Sequence, residues 1–202
     1  MLSPYISKHM TDHPSSHIIS AIRKRRSVYP PEFIKGHISD QLISDLLALA
    51  QYAPTHRLTE PWRFAVISPA ARPSFSDFVD GYYESLRDTS EYVGRKHHKA
   101  LKKIEQSSHI VAIILRRDPA QRVPEWEEIA AVSMAVQNIW LAAKQFGIGL
   151  YWSTPDSRMV AGDYLGLQET ETCLGYLYMG LSPKCQFADR DRLKPEDYIK
   201  WL

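Results

Sequence analysis

Residues 124–155 read PEWEEIAAVSMAVQNIWLAAKQFGIGLYWSTP, and this stretch predicts a long helix followed by a short strand. Its first residues include glutamates, which suit the positive end of a helix dipole, and no further proline or glycine occurs before Gly147. On a helical wheel the polar side chains form only two narrow rows, whereas a surface helix normally shows one broad polar face. We therefore expect this helix to be buried on most sides, in the core or against a partner subunit.

The same stretch argues against a membrane span and indicates a place for a ligand. Charged and amide side chains interrupt the helix, which is barely long enough to cross a bilayer. Gly147 and Gly149 are expected to end the helix. The strand LeuTyrTrp that follows ends in hydroxyl-bearing residues at positions 153 and 154. A buried helix that leads into a polar strand end is a common way to position a ligand site.

The composition is that of an ordinary globular protein. The chain has 202 residues, of which 44% are hydrophobic and 24% charged, so we expect one domain with a substantial core. A formal net charge of +2 is too small to indicate nucleic-acid binding by itself. Cys173 and Cys185 form neither a zinc pattern nor a disulfide framework, and we assign no metal site. Residues 1–17 lack the apolar core of a signal peptide, which favours the cytoplasm.

Four apolar strand candidates alternate with helices along the chain, which indicates a layered α/β or α+β fold. Residues 1–16 are interpreted as a flexible N-terminal extension, and residues 17–202 as the folded domain. Within that domain, residues 72–107 predict a surface-like helical excursion that could cover a pocket and select the substrate. The basic run RKHHKALKK at residues 95–103 is interpreted as a solvated helix face, because no aromatic platform is interleaved with its charges.

The segment HIISAIRKRRS, residues 17–27, predicts a short helix whose inner face carries Ile18, Ile19 and Ile22. It ends in four cationic residues, 23–26, followed by Ser27. These cations can form a solvated face that complements the C-terminal end of the helix dipole. They can also form an anion clamp, because guanidinium groups bind phosphate through paired hydrogen bonds. The pattern alone leaves both interpretations open.

The chain lacks the motifs of several common enzyme classes. It contains no Walker A loop, no HExxH pair and no GxSxG nucleophile turn. GlyIleGly at residues 147–149 follows a helix rather than a strand, which argues against a dinucleotide-binding Rossmann turn. No nucleophilic triad stands out. If the protein is an enzyme, a bound cofactor is expected to carry the chemistry, and we assign no catalytic side chain.

Several short motifs, in order over residues 17–182, resemble the nitroreductase family of FMN-dependent oxidoreductases, above all its small, minimal members. They are ArgArgSer after the first helix, AlaProThrHis followed by ProTrpArgPhe, the long helix, GlyIleGlyLeuTyrTrpSerThr, and the closing TyrLeuTyrMetGly. The resemblance implies a nitroreductase-like α+β fold, with helices flanking a central, mostly antiparallel sheet of about four to five strands. It also implies an obligate homodimer that binds FMN at its interface, with the long helix as the dimer helix.

The same resemblance assigns residues to FMN binding. The basic side chains of the first motif would meet the phosphate and ribityl chain, and the last motif would lie beside the flavin. A middle group would contact flavin from the other subunit. The first motif contributes Arg25, Arg26 and Ser27, and the last motif contributes Trp152, Ser153 and Thr154. The middle group is Tyr52 and His56.

The chain departs from the family pattern at two of these positions. The small members carry a basic residue where Ser153 stands, and an arginine where Tyr52 stands. Both departures remove positive charge from the expected phosphate or ribityl contacts. Arg57, Arg190 and Arg192 are candidates to compensate for that loss.

The resemblance implies an enzyme that reduces nitroaromatic, quinone or similar acceptors with electrons from NAD(P)H, by ping-pong turnover. Reductive dehalogenation and oxygen-dependent flavin cleavage are alternatives on the same scaffold. A non-enzymatic module that binds flavin or nucleic acid is a further alternative, and the low net charge argues against its nucleic-acid form. We expect neither a nucleic-acid nor a membrane partner.

Overall fold

The computed structural model describes residues 16–183 and 191–202. The α-helices are α1 (Ser16–Lys24), α2 (Asp40–Ala48), α3 (Arg72–Ser85), α4 (Gly94–Gln106), α5 (Glu125–Gln145) and α6 (Gly162–Leu165). Short 3-10 turns occur at Pro30–Glu32, Leu49–Tyr52, His56–Leu58, Asp156–Val160 and Pro195–Asp197. The strands are β1 (Trp62–Ile67), β2 (His109–Arg116), β3 (Ile148–Ser153) and β4 (Glu171–Leu181).

The strands form one sheet in the order β1-β2-β4-β3, and every neighbouring pair is antiparallel. The two central strands, β2 and β4, are apolar and largely buried, as expected for strands covered on both faces. This arrangement confirms the prediction of an α+β fold around a mostly antiparallel sheet.

Side chains alternate between the two faces of the sheet, and each face is covered by different helices. On one face, Val111 and Leu177 pack in a cluster with residues of α2 and α5, such as Leu46 and Val136. On the other face, Ile110, Ala112, Tyr176 and Tyr178 pack in a cluster with the residues of α3 and α4. Those helix residues are Phe75, Val79, Tyr83, Ala100 and Ile104. Helices α3 and α4 occupy the segment predicted as the helical excursion.

The long helix α5 spans 21 residues and presents one face to the core of its own chain. The buried face is formed by Ala131, Val132, Ala135, Val136, Ile139 and Ala143. The opposite side is exposed although it carries large apolar side chains, including Trp126 and Met134. Burial within the chain therefore explains only one side of the apolar wheel.

The chain divides into two compact units, Met1–Arg26 with Lys184–Leu202, and Ser27–Pro183. The second unit contains the whole sheet and helices α2 to α6. In the first unit, α1 exposes Ile18 and Ile22, so their expected place on an inner face is wrong for the single chain. Residues 1–15 of the predicted extension lie outside the described residues.

None of the helices over residues 16–183 and 191–202 combines the length and the apolar character that crossing a membrane requires.

Candidate functional site

The segment that begins at Ser27 lies alongside β3. The backbone N–H of Val28 donates a hydrogen bond to the carbonyl oxygen of Leu150, at 3.0 Å. Gly149 permits this approach, because a Cβ atom there would come within 2.7 Å of the Cβ of Val28. Gly149 was expected to end the preceding helix, but it lies inside β3 and makes room for a neighbouring segment. Ser27 is thereby attached to the strand that carries Trp152.

A β-bulge brings the backbone of β4 against the indole of Trp152. The β2–β4 register shifts between Ile113 and Ile114, which pair with Gly175 and Cys173. Gly175 has a φ of +141°, a conformation that L side chains rarely adopt. A Cβ atom there would lie 2.6 Å from Trp152 Nε1 and 2.6 Å from the carbonyl oxygen of Ser153. The bulge therefore holds the polar end of β3 against the middle of the sheet.

The indole N–H of Trp152 is buried and has no hydrogen-bond acceptor in the part of the chain that the structure describes. Buried donors normally have a partner, because leaving one unpaired costs about 1–3 kcal/mol. Ser153 is buried next to it, and Thr154 is exposed where the strand ends. An unsatisfied donor beside a hydroxyl-bearing strand end marks this point as a candidate ligand contact.

Lys103, on α4, contacts the same strand end. Its Nζ donates a long hydrogen bond of 3.3 Å to Ser153 Oγ. It also lies 5.1 Å from the ring centroid of Tyr151 and 5.9 Å from that of Tyr178. Burial, and then the charge of Lys99, lower the pKa of the Lys103 ammonium group below its ordinary value. Ser153 stands where a basic residue was expected, and Lys103 brings a positive charge to that position.

Arg25 and Arg26 belong to the first unit and differ in what they contact. Arg26 Nη1 donates to the carbonyl oxygens of Arg23, at 2.6 Å, and Arg25, at 3.0 Å, so its guanidinium group satisfies backbone acceptors where α1 ends. Burial, followed by the charges of Arg192 and Arg26, lowers the pKa of Arg25. Arg192, one of the candidate compensating cations, thus lies within electrostatic range of Arg25.

Tyr52 and His56 lie on the α5 side of the fold. Tyr52 ends the 3-10 turn Leu49–Tyr52 and is 73% exposed. His56 Nδ1 forms a hydrogen bond of 2.5 Å with Glu127, in the first turn of α5. Arg57 follows with a φ of 53° and lies in the exposed 3-10 turn. The His56–Glu127 bond holds the loop to α5, and the Tyr52 side chain is exposed to solvent.

The expected site residues therefore fall into separate sets. Ser27 and Trp152–Thr154 are attached to the same strand. The described hydrogen bonds and ring contacts do not join Tyr52 or His56 to that strand end. Arg25 and Arg26 belong to the other unit, and the candidate Arg190 lies outside the described residues.

Sequence reasoning missed Lys103 and Glu127. Lys103 lies inside the basic run 95–103, which resembles a solvated helix face, and only the packing of α4 distinguishes it from its exposed neighbours. Glu127 is one of several glutamates at the start of α5, where the helix dipole alone explains an acidic residue. Neither residue carries a local sequence signal, because its partner is distant along the chain.

One group of potential metal ligands occurs in the described residues, although no metal site was expected. Asp80, Glu84 and His97 place ligand atoms within 4.8 Å of one another. His97 Nε2 is bonded to Asp80 at 2.7 Å, and Glu84 is paired with Arg87. The His97–Asp80 bond fastens α4 to α3, and the two contacts together give each member of the group a protein partner.

Comparison with known proteins identifies the fold and the family. The profile of the Nitroreductase family matches residues 22–181. The chain is 29% identical over 144 residues to the Bacillus subtilis (strain 168) protein named "Putative NAD(P)H nitroreductase YfhC", which covers 70% of this chain and 71% of that protein.

Solved structures agree in fold. A nitroreductase-like family protein from Bacillus cereus superposes with a TM-score of 0.77 at 21% identity, over 100% of this chain and 99% of that chain. The FMN-dependent nitroreductase NfnB from Mycobacterium smegmatis, solved in complex with NADPH, superposes with a TM-score of 0.73 at 15% identity, over 94% of this chain and 100% of that chain. At these identities the likeness shows the fold alone.

Proposed function

The chain belongs to the nitroreductase family, and from that premise we propose that it is an FMN-dependent oxidoreductase. NAD(P)H supplies the electrons, and a nitroaromatic, a quinone or a similar oxidised compound accepts them. The names of the relatives support this proposal, because NfnB is called FMN-dependent and binds NADPH, and YfhC is named as an NAD(P)H nitroreductase.

The residues around β3 fit a flavin. A planar ring with exposed heteroatoms offers the acceptor that the buried indole N–H of Trp152 lacks among the described residues. Gly175 keeps the backbone beside that indole free of a side chain. Ser27 can bond a ribityl hydroxyl. In the other unit, Arg25 and Arg26 carry the guanidinium groups that a phosphate requires. These roles are the ones that the resemblance assigns.

When bound, FMN would accept a hydride from NAD(P)H and give it to the acceptor, so that both substrates react in turn at one place. The chain contributes orientation and electrostatics rather than a nucleophile. The indole N–H of Trp152 would donate a hydrogen bond to the bound ring, and Ser153 and Thr154 present hydroxyl groups at the strand end. The Lys103 ammonium group places positive charge next to Ser153, where it favours negatively charged groups on a ligand.

The proposal includes a homodimer in which the two subunits complete each other's site. Tyr52 is exposed, the turn that it ends packs against α5, and the exposed side of α5 carries Trp126 and Met134. A second copy packed against α5 would cover that side and would meet Tyr52 and His56. This accounts for two assigned residues that no described hydrogen bond or ring contact joins to β3 within one chain.

The observation that carries the proposal is the buried, unsatisfied indole N–H of Trp152 at a strand end to which Ser27 is attached. The test is an absorbance spectrum of the purified protein, with mass identification of what it releases on denaturation. We expect the two flavin bands, release of FMN, and bleaching of the bands by NAD(P)H without oxygen. A protein that is colourless and stays so after incubation with FMN would contradict the proposal.

A screen of acceptors separates the proposed activity from the alternatives on the same scaffold. With NAD(P)H present, nitroaromatic compounds and quinones should be consumed with matching oxidation of the dinucleotide. Release of halide from a halogenated aromatic compound, or loss of the flavin itself in oxygen, would indicate the alternative reactions.

A further inference from the structure

Lys103 is a partly buried cation with no carboxylate partner. Its contacts are the hydroxyl group of Ser153 and the rings of Tyr151 and Tyr178, all of them neutral. No ion pair joins Lys103 to a carboxylate within residues 16–183 and 191–202. The two tyrosine rings attract the ammonium group, but they carry no net negative charge. A partly desolvated cation without a counter-charge therefore favours an anion next to it.

A second cation adds to the same field. Lys99 precedes Lys103 by one helical turn on α4, and its charge is the second cause that lowers the pKa of Lys103. Like charges four residues apart on a helix destabilise it. Lys99 also has no ion pair in the described part of the chain, so no carboxylate offsets the repulsion between the two charges. A doubly negative group would relieve this repulsion, whereas a neutral one would not.

Ser153 supplies a matching hydrogen-bond donor. Its Oγ accepts the hydrogen bond from Lys103, but its own O–H donates to no acceptor among the residues described. A hydroxyl donor beside one ammonium group, with a second cation one helical turn away, suits the oxygens of a phosphate monoester, which carry about two negative charges at neutral pH.

We infer that Lys103, Lys99 and the Ser153 hydroxyl form a binding site for a phosphate monoester. This inference rests on the proposed function, in which two ligands carry such a group. One is FMN, with its terminal phosphate, and the other is NADPH, with the ribose phosphate that NADH lacks. The arginines assigned to the FMN phosphate belong to the other unit of the chain. The lysine site lies within Ser27–Pro183 and is built on the excursion helix α4.

The test compares ligands that differ only in the phosphate. Dissociation constants are measured for FMN against riboflavin with flavin-free protein, and for NADP⁺ against NAD⁺ with the flavin-loaded protein. Lys103→Met keeps the length of the side chain and removes its charge. We expect this variant to lose roughly tenfold or more of one of the two preferences, as when a charge-assisted hydrogen bond is removed. Which preference falls identifies the ligand.

Lys102→Met is the matched control, because Lys102 is exposed and precedes Lys103 in the same helix. It should retain both preferences, and Lys103→Arg should restore most of what Lys103→Met loses. If both preferences are unchanged in Lys103→Met, as in the control, the inference is wrong. Should Lys103→Met fail to fold, Lys99→Met decides, since this exposed residue should cause a smaller loss of the same preference.

The lysine site and the proposed function can be tested separately, because either one can fail while the other holds. Unchanged preferences with normal flavin binding overturn only the lysine site. If the protein binds no flavin, calorimetric titration with inorganic phosphate still tests the site. Wild type and Lys102→Met should then bind phosphate more tightly than Lys103→Met, and equal binding by all three would overturn the inference.

Discussion

Arg25 and Arg26 are adjacent, yet their hydrogen bonds separate their roles. Arg26 is committed to the carbonyl groups at the end of α1, whereas Arg25 lies among like charges from Arg26 and Arg192. We predict that Arg25→Ala weakens FMN binding by about 1–3 kcal/mol, because a charge-assisted bond to phosphate is lost. Fluorescence titration of flavin-free protein measures the affinity.

For Arg26→Ala we predict a similar loss of affinity together with reduced stability, because the last turn of α1 loses its side-chain donors. Lys35→Ala, which removes an exposed cation elsewhere, serves as the control and should change neither quantity. Unchanged FMN affinity in Arg25→Ala, Arg26→Ala and the double variant would rule out the phosphate role.

Gly175 shows how a single backbone position shapes the strand end. A side chain there would meet Trp152 Nε1 and the carbonyl oxygen of Ser153, and its φ of +141° disfavours any L residue. We predict that Gly175→Ala lowers the free energy of unfolding by about 1–3 kcal/mol, since a packed site is overfilled. Urea denaturation measures the change.

Gly81→Ala is the matched control for that prediction. Gly81 lies within α3, and apart from the local helix backbone no atom lies within 4 Å of the place that a Cβ would take, so an added methyl group has open space. This variant should stabilise the protein by about 0.5–1 kcal/mol, because alanine favours a helix. Equal effects of the two substitutions would show that Gly175 is not held by close contact.

At the scale of elements, α3 and α4 cover a sheet face that is rich in tyrosine. Burial raises the pKa of Tyr83, Tyr176 and Tyr178 above the ordinary value of 10.0. A group whose folded-state pKa is raised stabilises the fold fully below its unfolded pKa and loses that contribution as pH rises above it. We therefore predict that the free energy of unfolding falls steeply above about pH 10.

Tyr178→Phe tests the source of that fall. The variant lacks one buried phenol, so its free energy of unfolding should decline less steeply than that of wild type between about pH 9.5 and 11. Tyr198→Phe, at a phenol that is 66% exposed and lies outside the proposed site, should follow the wild-type curve. Denaturation at a series of pH values gives both slopes, and parallel curves for Tyr178→Phe and wild type would contradict the assignment.

The elements themselves follow largely from periodicity, whereas their partners do not. The wheel of α5 predicted the long helix, and the apolar run HIVAIILRR predicted the central strand β2. The inward placement of Ile18 and Ile22 was wrong, because an apolar stripe says that a face will be covered but not by what. The role of Lys103 could not be predicted for the same reason, because a run of basic residues does not indicate which of them contacts a strand.

The site divides in the same way between local and long-range information. The family resemblance assigned Ser27 and Trp152 to one site, although it did not predict that Ser27 lies next to the strand that carries Trp152. The contact between Val28 and Gly149, the bulge at Gly175 and the His56–Glu127 bond could not. They join residues far apart in sequence, and no local propensity encodes such a pairing.

At the scale of the whole molecule, exposed apolar side chains need a partner. On α5, Trp126 is 68% exposed and Met134 is 40% exposed, although both are large apolar residues. Ile129 and Phe146 are exposed on or just beyond the same helix. Several large apolar side chains exposed on one helix are more typical of a protein–protein interface than of isolated surface residues. It supports the proposed homodimer.

The dimer proposal makes a prediction that combines assembly with cofactor binding. Met134→Lys places an ammonium group in the apolar contact, and we expect the dimer dissociation constant to rise by at least about tenfold. Because Tyr52 and His56 would then be lost from the partner's site, flavin content should fall with the dimer fraction. Light scattering measures the dimer fraction and absorbance measures the flavin content, each over a range of protein concentrations.

Met159→Lys makes the same substitution at a methionine that is 68% exposed in the Asp156–Val160 turn, and it should leave both quantities unchanged. A fully dimeric Ile129→Lys/Met134→Lys variant with normal flavin content would place the interface elsewhere. Loss of the dimer with flavin retained would instead show that each subunit holds its cofactor alone.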